Sequence, residues 1–169
     1  MSRAGLLAAL FLFALPARAA PKLVAGPDFT VPLPDGYANL SQRSHKPSFI
    51  MLEASHPSRG YQPTIVFRQT PIAGGSLGDP ATCAQTGRSL ATGVHGKLDR
   101  ASIISGPLGK TCQIRLVAPQ GVALITELNV MQSPSLPKET WLMTCNFADG
   151  DRQAEKICTQ TLAGFKLTK

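Results

Sequence analysis

The sequence predicts an α+β domain: an antiparallel sheet of about six strands with two helices packed on it. Three observations carry this reading. Residues 111–118, 122–131 and 141–147 alternate apolar and polar side chains with period 2, the mark of half-buried strands. Residues 151–165 then switch to the helical period, with Ala154, Ile157, Cys158, Thr161, Leu162 and Phe165 on one face. Finally, Asp79-Pro80 opens a second helical stretch between strand patterns.

Taken in order, the chain begins with an address. Arg3 supplies a positive start, residues 5–15 form an eleven-residue apolar run, and Ala17-Arg18-Ala19 is a small-x-small cleavage site. A membrane span needs about 20 apolar residues, so this run is too short to be one. The expectation is a signal peptide over 1–19, a single α+β domain over 20–169 and no transmembrane span. It points to an exported protein, periplasmic or extracellular.

Residues 28–37 read as a short edge strand running into a Pro34-Asp35-Gly36 turn, because Pro32 and Pro34 cannot donate to a central ladder. Residues 48–56 and 64–70 read as two further strands, with Ile50, Leu52 and Ala54, then Ile65 and Phe67, turned inward. After a glycine-rich loop, Asp79 caps a helix that carries Cys83, Gly87, Leu90, Ala91 and Val94 on one face; Gly93 and Gly96 end it. A short strand over 101–105 follows. Pro119-Gln120-Gly121 joins the next two strands as a hairpin, and residues 133–139 form a proline-broken loop before the last strand. Asp151 is a good N-cap for the final helix and Gly164 a good stop.

Four cysteines in an exported chain favour two disulfides over a metal site, and their spacing matches no zinc pattern. Three pairings are open. With Ile114 and Leu116 inward, Cys112 is inward; with Trp141, Met143 and Phe147 inward, so is Cys145. If the three late strands lie in sequential order, Cys112 and Cys145 are roughly 9–10 Å apart. A disulfide needs Cα atoms within about 7 Å. Cys112–Cys145 is therefore disfavoured; of the two pairings left open, Cys83–Cys112 with Cys145–Cys158 is the expectation, each bridge tying a helix to the sheet.

The pattern Phe29-x-Val31-Pro32-Leu33-Pro34-x-Gly36-Tyr37 and the ending Trp141-Leu142-Met143-Thr144-Cys145 … Ile157-Cys158 … Gly164-Phe165-Lys166 resemble the PsbP-like superfamily. That group comprises PsbP, the Ran-binding Mog-type proteins and DcrB-like α+β domains. The similarity spans about residues 28–167. Tyr37 and Gly164 stand where relatives commonly carry Trp and Ser. The resemblance implies a binding or accessory scaffold without catalysis, and it transfers no set of functional residues.

Composition and motifs point the same way. The chain carries 17 Lys and Arg against 10 Asp and Glu, a net charge of +7. Residues 43–115 hold nine of the basic residues against Glu53, Asp79 and Asp99, while residues 116–169 balance. A field of that kind attracts anionic polymer or lipid, with Arg59, Arg68, Arg88 and Arg115 as the candidate anion-binding surface. No adjacent basic run suggests specific nucleic-acid binding.

Gly74-Gly75-Ser76-Leu77-Gly78 satisfies G-x-S-x-G, with His95 the only histidine downstream. A nucleophile elbow needs its serine at the immediate end of a strand, under a helix N-terminus. Here Thr70 ends the strand and Asp79 starts the helix, so a small serine hydrolase using Ser76 and His95 is the alternative rather than the first reading. Residues 106–111 imitate a phosphate loop, yet Ile104 stands where its first glycine belongs, and the segment leads into a strand. Of His45, His56 and His95, the first two flank the second strand without a carboxylate or Cys at ligand spacing, and all three read as surface or turn residues. The expectation is a non-enzymatic envelope binding or accessory module, without metal or cofactor, whose partner is an envelope protein or an anionic polymer.

Overall fold

The computed structural model describes residues 20–26, 29–41, 49–70, 78–106, 109–131 and 139–168. Among the described residues, ten strands and two α-helices run in the order β1 (Leu23–Ala25), β2 (Phe29–Pro32), β3 (Tyr37–Asn39), β4 (Phe49–Ala54), β5 (Thr64–Thr70), α1 (Pro80–Gly93), β6 (Lys97–Gly106), β7 (Gly109–Ala118), β8 (Val122–Met131), β9 (Glu139–Ala148), α2 (Arg152–Ala163) and β10 (Lys166–Leu167). The α+β class holds, with more strands than the alternation suggests. Seven of them form one sheet in the order β3-β4-β5-β9-β8-β7-β6, and three form a second in the order β1-β2-β10. Every pairing is antiparallel.

Two expectations are corrected here. Strand β2 is not an edge strand but the centre of the small sheet, flanked by β1 and β10. Pro32 is tolerated because β10 pairs only with Phe29 and Thr30, so no ladder partner on that side needs an N–H at position 32. Strand β6 runs for ten residues rather than five, since its register passes a bulge at Asp99 and continues to Lys97.

The large sheet has a core on each face. On one face Ile50, Leu52, Ile65, Phe67, Ile125, Trp141, Met143, Cys145 and Phe147 are buried beneath α2 and the small sheet, which contribute Cys158, Leu162, Phe29 and Val31. The other face, over β6 and β7, buries Cys112, Ile114 and Leu116 under α1 with Cys83 and Ala91. The register assigns the cysteines accordingly. Cys145 shares a rung with Ile125 and Arg115, whereas Cys112 shares one with Leu128 and Leu142, so the two cysteines point to opposite faces.

Each helix is covalently fixed to the face it covers. Cys83 on α1 is bonded to Cys112 on β7, with Cα atoms 5.5 Å apart, and Cys145 on β9 to Cys158 on α2, at 6.0 Å. Both helices start as capping chemistry dictates. Asp79 Oδ2 accepts from Thr82 N at 2.8 Å, and Asp151 Oδ1 accepts from Ala154 N at 3.0 Å. Both helices stop at the expected glycines, α1 at Gly93 and α2 at the Gly164 cap, but neither glycine takes a positive φ. The positive-φ residue closing α1 is His95 (φ 52°), not a glycine. Gly164 caps α2 at φ −85°, in the right-handed region. Gly164 serves packing instead: a Cβ there would collide with the Pro32 ring, so only glycine lets α2 seat against β2. Gly87 does the same for α1, where a Cβ would come within 3.1 Å of both Ala101 and Leu98 on β6.

Among the described residues no helix is long and apolar enough to cross a membrane. The leader expected over 1–19 lies outside the described residues.

Candidate functional site

Of the residues singled out in the sequence, the structure gathers only some. The four cysteines form the two clamps. Arg59, in the turn before β5, donates from Nη1 to the Asp149 carbonyl at 3.2 Å. Arg115 meets the same residue from the other side, its Nη2 lying 2.8 Å from Asp149 Oδ1. Arg68 on β5 and Arg88 on α1 are exposed, and no hydrogen bond or ion pair among the described residues links them to that pair. Ser76 and His45 lie outside the described residues. His95 is exposed at the end of α1, and His56 is exposed in the turn after β4. No group of metal-ligating side chains occurs among the described residues.

Arg115 is the centre of a fork that sequence reading missed. Its side chain, only 14% exposed, reaches Asp99 Oδ2 at 2.8 Å, Asp149 Oδ1 at 2.8 Å and Glu155 at 3.6 Å. It thereby joins the β6 bulge, the turn after β9 and α2 beside the Cys145–Cys158 bridge. A guanidinium held by three carboxylates presents little free positive field. Its four members are scattered over 57 positions, Asp99 to Glu155, and no local pattern announces them.

Next to the fork, a polar relay crosses three strands. Arg100 Nη2 donates to Gln113 Oε1 at 3.1 Å, and Gln113 Nε2 donates to Glu127 Oε1 at 2.9 Å. Glu127 is 4% exposed and lies opposite Met143 on β9. Burial pushes its carboxyl above the ordinary range, and the bond from Gln113 offsets this only in part. The native state therefore holds the proton more tightly than the unfolded chain does. Stability from this group is fully present below the unfolded pKa and is lost as pH rises through the folded one. Glu127→Gln keeps the acceptor for Gln113 and removes that loss. Denaturant unfolding from pH 4 to pH 8 should show the variant more stable than the parent at pH 8, with the gap closing at pH 4. A gap independent of pH would contradict the assignment.

A groove of about 840 Å³ lies on the opposite flank of α2, between Ala20–Lys22, the turn from Pro32 to Tyr37, and Gln153, Ile157, Gln160 and Thr161. Tyr37 is half-buried there. Burial first, and then the Asp151 carboxylate, raise its phenol above the usual value. Asp151 itself is lowered, chiefly by the Ala154 backbone bond. The other polar oddity is Trp141, whose buried Nε1 has no hydrogen-bond partner among the described residues.

The last feature is an edge. Strand β6 is paired only to β7 among the described strands, and it is the long border of the large sheet; β3, at the far border, has three residues. Lys97 and Arg100 are exposed on β6 and Lys110 is exposed on β7, and none of the three has an ion pair among the described residues.

Comparison with known proteins identifies the architecture. No protein-family model matches the chain, and no curated protein sequence matches it. Solved structures do. A point mutant of the protein Mog1 is similar with a TM-score of 0.57 at 11% identity, over 89% of this chain and 97% of that one. The Ran-binding protein Mog1p of Saccharomyces cerevisiae is similar with a TM-score of 0.55 at 10% identity, over 89% and 97%. LpqN of Mycobacterium tuberculosis, described as involved in cell envelope biogenesis, is similar with a TM-score of 0.53 at 16% identity, over 89% and 91%. The chain thus has the PsbP-like fold that these proteins share, as the Phe29–Tyr37 and Trp141–Lys166 patterns imply.

Proposed function

We propose that this chain is an exported, non-enzymatic accessory module of the cell envelope that works by binding a protein partner. The observation that carries this reading is the double covalent clamp, Cys83–Cys112 and Cys145–Cys158, one on each face of the sheet. Disulfides of this kind persist in oxidising compartments outside the cytosol. They also hold the framework in one shape, which suits a scaffold that offers a surface rather than one that closes on a substrate.

Two fold neighbours support the reading by analogy: one is described as involved in cell envelope biogenesis and another as a Ran-binding protein. The charged groups with the most pronounced environments serve the scaffold. Asp79 and Asp151 cap helices, and Arg115 joins three carboxylates. A protein partner is favoured over an anionic polymer because Arg59 and Arg115, half of the arginine set that would hold a polymer, are already engaged at Asp149.

The experiment compares the parent with Ser76→Ala, using a serine-directed activity probe and an activated ester. Neither labelling nor hydrolysis above buffer background is expected for either protein. Labelling of Ser76, with hydrolysis that the folded alanine variant loses, would replace this reading with a hydrolase.

A further inference from the structure

We propose that the outer edge of β6, residues 100–105, receives an extended acidic segment of the protein partner as an eighth strand of the large sheet. This deepens the binding-module reading and rests on it.

An edge strand presents every second N–H and C=O to solvent, a template for another strand. Among the borders of the two sheets, only β6 is long. β1 and β3 have three residues each and β10 has two, whereas β6 has ten. Its bulge at Asp99 breaks the register once, and from Arg100↔Arg115 to Gly106↔Gly109 the ladder is uninterrupted. Seven residues in regular register match the typical length of a strand, about 5–6 residues. This edge is also held in place before any partner arrives. α1 packs closely on β6 through Gly87, against Leu98 and Ala101, and is bonded to β7 through Cys83–Cys112. A docked strand would have little of β6 to order.

The charges select the occupant. Lys97 and Arg100 pair with Val117 and Arg115 across the ladder, so both belong to the face that carries Gln113 and Glu127. The nearest carboxylate, Asp99, is spent on Arg115. Lys110, paired with Ser105, belongs to the opposite face, that of Cys112, and does not add to this pair. A second copy of the chain would bring like charges edge to edge, which is how edge lysines discourage self-pairing. Lys97 and Arg100 attract a strand that carries carboxylates on their face. On the opposite face Ala101 and Ile103 are half-buried beside α1, which suits apolar side chains at the alternate positions. The expected segment therefore alternates acidic and apolar residues.

The test titrates the isotope-labelled chain with a capped heptapeptide of alternating valine and glutamate, against the same peptide with lysine for glutamate. Amide shifts should centre on β6, with slowed hydrogen exchange at alternate β6 residues. Lys97→Glu and Arg100→Glu together should weaken the glutamate peptide about tenfold, two cross-strand attractions having become repulsions, and should admit the lysine peptide. Lys97→Glu alone, at an exposed position just before the bulge, gives the same direction with a smaller effect should the double variant fold poorly. No binding of the glutamate peptide, equal binding of both peptides, shifts centred on the groove beside α2, or dimerisation through β6 would each overturn the proposal. None of these results touches the wider reading, which is tested separately by Ser76-dependent hydrolysis and by the disulfide map.

Discussion

Cys145→Ser should destabilise the protein by roughly 3 kcal/mol, within the 2–5 kcal/mol usual for removal of a native disulfide. The bridge closes a sequence separation of 13 and holds α2 over β9. In the chain-entropy view, losing it frees the unfolded chain more than the folded one. Packing adds to this, because both sulfurs lie in a core with Ile125, Phe147 and Leu162. For a chain of this size each kcal/mol lowers Tm by about 2–4 °C. The loss is a large share of the ~5–15 kcal/mol that separates folded from unfolded domains. Thermal and denaturant unfolding measure it, and a change below about 1 kcal/mol would mean that α2 is held by packing alone.

Phe29→Ala should cost about 3–5 kcal/mol, the usual range for deleting a buried aromatic ring. Phe29 is fully buried, and three parts of the fold meet on it. Its ring lies 4.8 Å from Trp141 on β9 in an edge-to-face arrangement, and 4.8 Å from Phe165, just past α2, in a stacked one. Phe67 on β5 stands 6.3 Å away. Removing the ring leaves a cavity under the small sheet and strips a T-shaped and a stacked pair, each worth about 0.5–1.5 kcal/mol beyond area burial. Phe29→Leu should cost less, since part of the volume is kept. An alanine variant as stable as the leucine variant would show that β2 does not join the two sheets through this residue.

How much of this was legible differs by element. The C-terminal half reads well because strong local signals agree: period 2 over three strands, an Asp151 cap, and a helical stripe ending at Phe165. The small sheet was not legible. β1 is three residues and β10 two, too short for alternation to register, and β10 pairs with a strand more than 130 positions earlier. Strand phase placed Cys112 and Cys145 inward but could not say that a sheet covered on both sides has two insides. Only the ladder through β8 puts Cys145 opposite Ile125 and Cys112 opposite Leu128.

The candidate site was harder still. Arg115 looked like a free surface cation because its partners Asp99, Asp149 and Glu155 come from three other elements. The border position of β6 depends on strand order, which its sequence does not encode. The charged start of that strand, Lys97 to Arg100, even argues locally for a loop, and the bulge at Asp99 is what reconciles it with a ladder.

The fold rests on a sheet with one helix covalently fixed to each face. Non-reducing peptide mapping of the protein recovered from the exported fraction tests it most directly. Peptides joining Cys83 to Cys112 and Cys145 to Cys158 are expected, with no alkylatable thiol before reduction. Four free thiols, or Cys83 joined to Cys145 across what are here opposite faces of the sheet, would contradict it.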